Sequence, residues 1–319
     1  MTPTSDILGE TYSRTDHDLG PDPDGEGHAF ASLVSHTPSQ EHEHALLFVH
    51  GMSDYFFQDH VAQHFAKQGY AVYAIDLRKC GRAHRPGQRW HHASDMRVYF
   101  PDLDWALETI EERHRTVTVV GHSTGGLIVP LWAATRGQRI RALILNSPWL
   151  DLQIGQAKRR FMVPFVHLMA RIAPTAEVPG GLGGYGESLH RDYHGEWDFD
   201  LTWKPIAGHP KNFRWLDAVL RGQEQIHRSE VECPMPILVL CSTESWLGKP
   251  YSAATDTADA VLDVADMLRW APKLGPDVTV KQIEGARHDV FLSLPHARNV
   301  AFATCDQFLD DLPQRSTNG

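Results

Sequence analysis

The sequence is poor in features that would set it apart from an ordinary globular chain. Its four cysteines, Cys80, Cys233, Cys241 and Cys305, are spread over 319 residues without a CxxC pair, which excludes a disulfide framework or a zinc site built from paired thiolates. No apolar run reaches the ~18 residues a membrane span requires. The opening stretch MTPTSDILGETYSRTDHDLG is polar and acidic and does not read as a signal peptide. The expectation is a soluble, cytoplasmic protein with reduced thiols. Positive charge is scarce as well: 30 Lys and Arg stand against 40 Asp and Glu, a formal net charge of −10, with no long basic patch. Nucleic acid is therefore not an expected partner, because phosphate binding draws its affinity from clustered cations. Internal repeats and low-complexity tracts are missing. So are a G-x-G-x-x-G turn and a phosphate loop, so no nucleotide cofactor is expected.

What the chain does have is a rhythm. From about residue 29 to 148, short runs rich in β-branched and aliphatic residues alternate with amphipathic ones. ALLFVHG (45–51), YAVYAID (70–76), TVTVVGH (116–122) and IRALILNSP (140–148) read as buried strands. DHVAQHFAKQG (59–69), DLDWALETIEERH (102–114) and TGGLIVPLWAATRG (124–137) read as helices. Strand and helix in alternation, with nearly continuous apolar strands, imply a parallel sheet covered on both faces. The rhythm stops near Trp149 and resumes with the strand MPILVLC (235–241), a helix from about Asp263, the strand DVTVKQI (277–283) and a helix over about 295–312. ETYSRTDHDLG and HAFASLVSH, joined by the turn residues GPDPDGEG, add two antiparallel strands and bring the count to eight. The interruption is too long for a loop and predicts an inserted helical subdomain, 149–230, on a core made of 1–148 and 231–319. Its glycine-rich middle, VPGGLGGYGESLH, is expected to be mobile.

Gly121-His122-Ser123-Thr124-Gly125 fits G-x-S-x-G, and it follows a strand and opens a helix, the context in which that motif carries a nucleophile. A serine forced onto so sharp a turn leaves no room for side chains two residues away on either side. A nucleophilic serine needs a base, an orienting carboxylate and donors for an oxyanion, in the chain order Ser, acid, His for this turn type. The base should follow the last strand, where IEGARHDVFLS supplies His288. The acid should lie beyond strand 235–241, in a long loop that holds several carboxylates. Asp259 is the candidate, since it stands one short turn before a helix, while Asp263 suits that helix's N-cap. Glu244, Asp256 and Asp263 are the alternatives. Oxyanion donors are the amides of Thr124 and of Met52, the latter in the turn after FVHG, where Gly51 lets the chain bend. His50 beside it reads as a structural hydrogen-bonder. His42 and His44 stand two apart at a strand start, but no partner pattern follows, so no metal is expected. HHASD (91–95) reads as a helix start capped by Ser94 or Asp95.

HGMSDYF, AIDLRKCGRA, VVGHSTGG and GARHDVF together resemble the conserved segments of the α/β-hydrolase fold serine hydrolases, in particular the monoacylglycerol lipase and lysophospholipase-like group, also called serine aminopeptidase-like. The resemblance covers about 28–148 and 231–310. It implies a mostly parallel eight-stranded sheet with helices on both faces, a helical cap over the nucleophile, and an acid followed four residues later by Asp or Pro, as Asp259 is by Asp263. Cys80 and Ala83 depart from the family pattern, and the acid loop is longer. The expected reaction is cleavage of a small, lipid-like carboxylic ester (an acylglycerol or lysophospholipid) through an acyl-enzyme, without cofactor. An amidase, peptidase or thioesterase on the same triad, or a ligand-binding relative without catalysis, is the alternative. FMVPFVHLMARI, preceded by KRR, either lines an acyl tunnel, rests on a lipid surface as a peripheral contact, or packs on the core. Nothing in the sequence specifies an oligomeric state.

Overall fold

Period-two hydrophobicity divides each central strand between two helical layers. The computed structural model describes residues 3–313, apart from the side chains of 155–157. Its strands are β1 (Thr4–Asp6), β2 (Gly9–Pro21), β3 (His28–His36), β4 (His44–Val49), β5 (Tyr70–Asp76), β6 (Thr116–His122), β7 (Ile140–Asn146), β8 (Glu177–Val178), β9 (Lys211–Asn212), β10 (Ile237–Ser242) and β11 (Val278–Ile283). Its α-helices are α1 (Asp59–Lys67), α2 (Phe100–Glu111), α3 (Gly125–Ala133), α4 (Gly155–Ile172), α5 (Tyr185–Leu189), α6 (Phe213–His227), α7 (Val264–Trp270) and α8 (Pro295–Asp311). On one face Leu47, Val49, Leu143, Leu145 and Val239 meet α2, α3, α6 and α7; on the other Leu46, Phe48, Ala142, Ile144 and Leu238 meet α1 and α8.

The large sheet has the order β1-β2-β3-β5-β4-β6-β7-β10-β11, antiparallel from β1 to β5 and parallel from β5 to β11. This is the architecture expected, with one strand more. β1 is three residues long, too short to show a period, and it is anchored by a buried side chain: Arg82 reaches both oxygens of Asp6, at 2.6 and 2.8 Å, and Asp76 at 2.9 Å. A small β8–β9 ribbon of two-residue strands was equally invisible in the sequence.

The chain leaves the sheet after β7 and returns at β10. α6 closes that crossover, and Trp215, Val219, Leu220 and Ile226 on it belong to the core cluster of α2 and α3. Within the expected insertion α4 joins the same cluster through Val163, Val166 and Ala170, packed beside α6. The glycine-rich middle is not a bare loop. A Cβ on Gly186 would meet the Ile206 carbonyl oxygen at 2.2 Å, so this glycine allows close backbone packing where α5 crosses the 206 turn.

Candidate active site

β6 delivers the chain to Ser123 at the C-terminal edge of the sheet, and α3 carries it away at once. Ser123 sits at φ +53°, in the left-handed region that a non-glycine residue seldom occupies. Two bonds clamp the bend: Ser123 N donates to the Asn146 carbonyl at 3.0 Å, and Trp149 N donates to the Ser123 carbonyl at 3.0 Å. The flanking glycines are required by contact. A Cβ on Gly121 would lie 2.8 Å from the Gly125 oxygen, and one on Gly125 2.5 Å from the carbonyl oxygens of Val49 and His50. Thus β4, β6 and α3 converge on one point.

His288 comes to the same point from the loop after β11. Its Nδ1 lies 2.9 Å from Asp259 Oδ2 and its Nε2 2.9 Å from Ser123 Oγ. A carboxylate only accepts, so Nδ1 carries the proton, and Nε2 is left to accept from the serine hydroxyl. The other Asp259 oxygen takes the amides of Val261 and Leu262, at 2.9 and 2.8 Å. Backbone bonds on both sides of Asp259, from its own N to Glu244 O and from Trp246 N to its O, hold the loop to the end of β10. The three other carboxylates of this loop are engaged elsewhere or face water. Asp263 accepts from Ala265 N as the N-cap of α7, Asp256 pairs with Arg287 at 2.6 Å, and the Glu244 side chain is exposed.

Met52 and Thr124 line the same pocket as Ser123 and His288. The turn before Met52 approaches the serine so closely that a Cβ on Gly51 would stand 2.9 Å from Ser123 Cβ. His50 Nε2 accepts from Leu77 N at 3.0 Å, so its Nδ1 is the donor to Gly51 O at 2.7 Å; this residue orients the turn. His44 bonds Thr116 Oγ1, and no three potential metal ligands cluster among the described residues. Asp95, not Ser94, caps the turn that follows it, accepting from Arg97 N.

Several neighbours escaped sequence reasoning. Asn146, at the end of β7, donates to Asp289 Oδ1 at 2.7 Å and accepts from Val290 N, fixing the segment that carries His288. The Tyr185 ring stands edge-on to His288 with centroids 5.4 Å apart, and its hydroxyl accepts from Asp289 N. His122, 4.8 Å from the His288 ring, is held neutral chiefly by burial, which lowers its pKa. Asp54 is buried against Lys204, 2.6 Å away; burial would raise its carboxyl, but the Lys204 ammonium prevails and lowers it. Position at the carboxyl ends of parallel strands was the one available signal for Asn146.

The fold is that of the α/β-hydrolases, and a hydroxyl, an imidazole and a carboxylate in series at its central strands form the arrangement through which hydrolases of this class activate a serine. The sequence profile of the serine aminopeptidase family S33 matches residues 40–294, and the chain belongs to that family. It is 28% identical to a monoacylglycerol lipase of Mycolicibacterium smegmatis over 268 residues, 80% of this chain and 84% of that one. It is 23% identical to the phospholipase YtpA of Bacillus subtilis over 271 residues, 83% of this chain and 95% of that one. A crystal structure of a soluble variant of monoglyceride lipase from Saccharomyces cerevisiae, in complex with a substrate analogue, superimposes with a TM-score of 0.71 over 97% of this chain and 99% of that one, at 18% identity.

Proposed function

We propose that Ser123, His288 and Asp259 hydrolyse carboxylic esters of lipid type through an acyl-enzyme. The family and the lipase and phospholipase relatives make the chain a serine ester hydrolase acting on lipid esters; the assignment of residues is our own reading. The observation that carries it is the unbroken series from Ser123 Oγ through His288 to Asp259, each link 2.9 Å. Ser123 Oγ attacks the carbonyl carbon while His288 Nε2 takes its proton. The oxyanion that forms is met by the amides of Met52 and Thr124. Collapse expels the alcohol, which receives the proton from His288. Water then attacks the acyl-enzyme, gives a proton to the same nitrogen, and releases the acid and the free serine.

Residues 149–230 form the cap over this site in our reading, with Tyr185 and Leu182 in the pocket wall. On α4 the side chains of Phe161, Phe165, Leu168 and Ile172 share one face and are 47–76% exposed, with Lys158, Arg160 and Arg171 also exposed on the helix. We assign this face to the surface of anionic lipid aggregates, as a peripheral contact. Four buried free thiols accord with a reducing compartment, and we assign the protein to the cytoplasm.

Ser123→Ala tests the mechanism. Turnover of p-nitrophenyl esters should drop by about 10³-fold or more, and a fluorophosphonate probe should no longer label the protein. Full esterase activity in this variant would overturn the assignment. A chain-length series of the same esters, with a p-nitroanilide beside it, distinguishes an esterase from an amidase.

A further inference from the structure

The pocket at Ser123 contains two lysines, and only one has a partner. Lys204 is neutralised by Asp54, and His288 is bonded to Asp259. Lys211 reaches into the pocket wall from β9, opposite Val178 in the short ribbon. Its ammonium lies near Gly180, where a Cβ would stand in ordinary contact with Nζ at 3.9 Å. Among the described residues it forms no ion pair and no hydrogen bond. Burial, with nothing to offset it, lowers its pKa below that of an ordinary lysine. The titratable neighbour it acts on is His91, a fully buried ring kept neutral by burial first and by His209 and Lys211 after that.

A chain with 40 Asp and Glu residues and a net charge of −10 has thus left one partly desolvated cation unpaired in the wall of its candidate nucleophile's pocket. Burying an ammonium without a counter-ion is unfavourable, and structural lysines avoid it by pairing or by extending to water. Lys204 follows that rule by pairing with Asp54; Lys211 is only partly buried, and its ammonium is left to water without a protein partner among the described residues. A ligand that brings its own negative charge removes the penalty, and a neutral one leaves it in place.

We propose that Lys211 determines specificity in this pocket by binding an anionic oxygen of the substrate, so that the preferred esters carry a carboxylate or phosphate. The inference rests on the ester-hydrolase reading above. A phosphate on the alcohol side and a carboxylate at the far end of the acyl chain offer the same chemistry, and two substrate pairs separate them. Monooctanoylglycerol against its 3-phosphate places the charge on the alcohol. Ethyl octanoate against monoethyl suberate places it on the acyl end. All four are used below their aggregation thresholds, which keeps the α4 face out of the measurement.

The readout is the ratio of kcat/KM, anionic over neutral, within each pair. In the parent protein that ratio should favour the anion in one pair, mainly through KM. Lys211→Met should lower it by about 10- to 100-fold, the range of a charge-assisted hydrogen bond, and Lys211→Arg should retain most of it. Ratios unchanged by Lys211→Met in both pairs, or a parent protein that favours the neutral ester in both, would overturn the inference. Fluorophosphonate labelling of each variant reports an intact site independently of Lys211. If the parent cleaves none of the four esters, the ester-hydrolase reading itself fails; if it cleaves the neutral ones without any dependence on Lys211, only the present inference does.

Discussion

Asp259 forms an isolated bridge with Ser245 and donates its N–H to the Glu244 carbonyl, yet the Asp259 and Glu244 side chains have opposite surroundings. Asp259 is fully buried, with both oxygens bonded, and Glu244 contributes its backbone while its side chain faces water. Exchanging the carboxylates for amides should therefore separate them. Asp259→Asn presents an amide to His288 Nδ1 and favours the wrong tautomer; kcat should fall by about 10³- to 10⁴-fold, the scale known for such a change. Glu244→Gln should leave kcat within about twofold, and Asp263→Ala should cost about 1 kcal/mol of stability through loss of the α7 cap while sparing kcat. Steady-state kinetics and thermal denaturation of the three variants check this, and an unimpaired Asp259→Asn would return the acid's role to its neighbours. Ser123 and His288 stood out in the sequence because each has a local mark, a glycine-flanked turn and a position after the last strand. The carboxylate had no such mark. Its selection depends on a loop folding back so that residues 245 and 259 pair, a contact across fourteen positions that no local pattern encodes.

At the scale of elements, the strands that were legible are those long enough to show a period. The segments 45–51, 70–76, 116–122, 140–148, 235–241 and 277–283 all correspond to sheet strands, whereas the two- and three-residue strands β1, β8 and β9 do not rise above the background. Helix α4 was ambiguous for a different reason: it is apolar on more than one side, so composition alone allowed core, tunnel or lipid surface. Burial separates the sides. Val163, Val166 and Ala170 join the core, while Phe161 at 76% and Ile172 at 67% exposure point away from it. Each such side chain is worth about 1.5–3 kcal/mol when withdrawn from water. Replacing Phe161, Phe165 and Ile172 together by Ser should lower partitioning onto anionic vesicles by about 10²-fold or more. Hydrolysis of a short monomeric ester should change little, because these side chains do not line the serine pocket. Sedimentation with vesicles and a parallel assay in free solution read the two effects; unchanged partitioning would remove the lipid-surface role of α4.

Over the whole molecule, the abundance of histidine has a thermodynamic consequence that the sequence alone does not reveal. Ten of the twenty rings have lowered pKa values, in every case chiefly through burial. His91 is brought down to about 3, His209 and His227 to about 4. As pH falls below the ordinary imidazole value of about 6.5, the unfolded chain takes up protons on these rings and the folded chain does not. The unfolded state then binds more protons, so stability must fall as pH falls, each unit of separation amounting to about 1.4 kcal/mol per ring. The carboxylates whose pKa values are lowered, Asp6 and Asp54 among them, act below the ordinary aspartate value and hence later in the titration. The melting temperature should accordingly decline between pH 6.5 and pH 4.5, before those carboxylates contribute. His91 offers the control: neither ring nitrogen has a hydrogen-bond partner, so His91→Phe removes a titrating group without breaking a bond. The drop in melting temperature from pH 7.5 to pH 5 should be smaller in His91→Phe than in the parent protein, and equal slopes in the two would mean that the buried rings are not what makes the fold acid-sensitive.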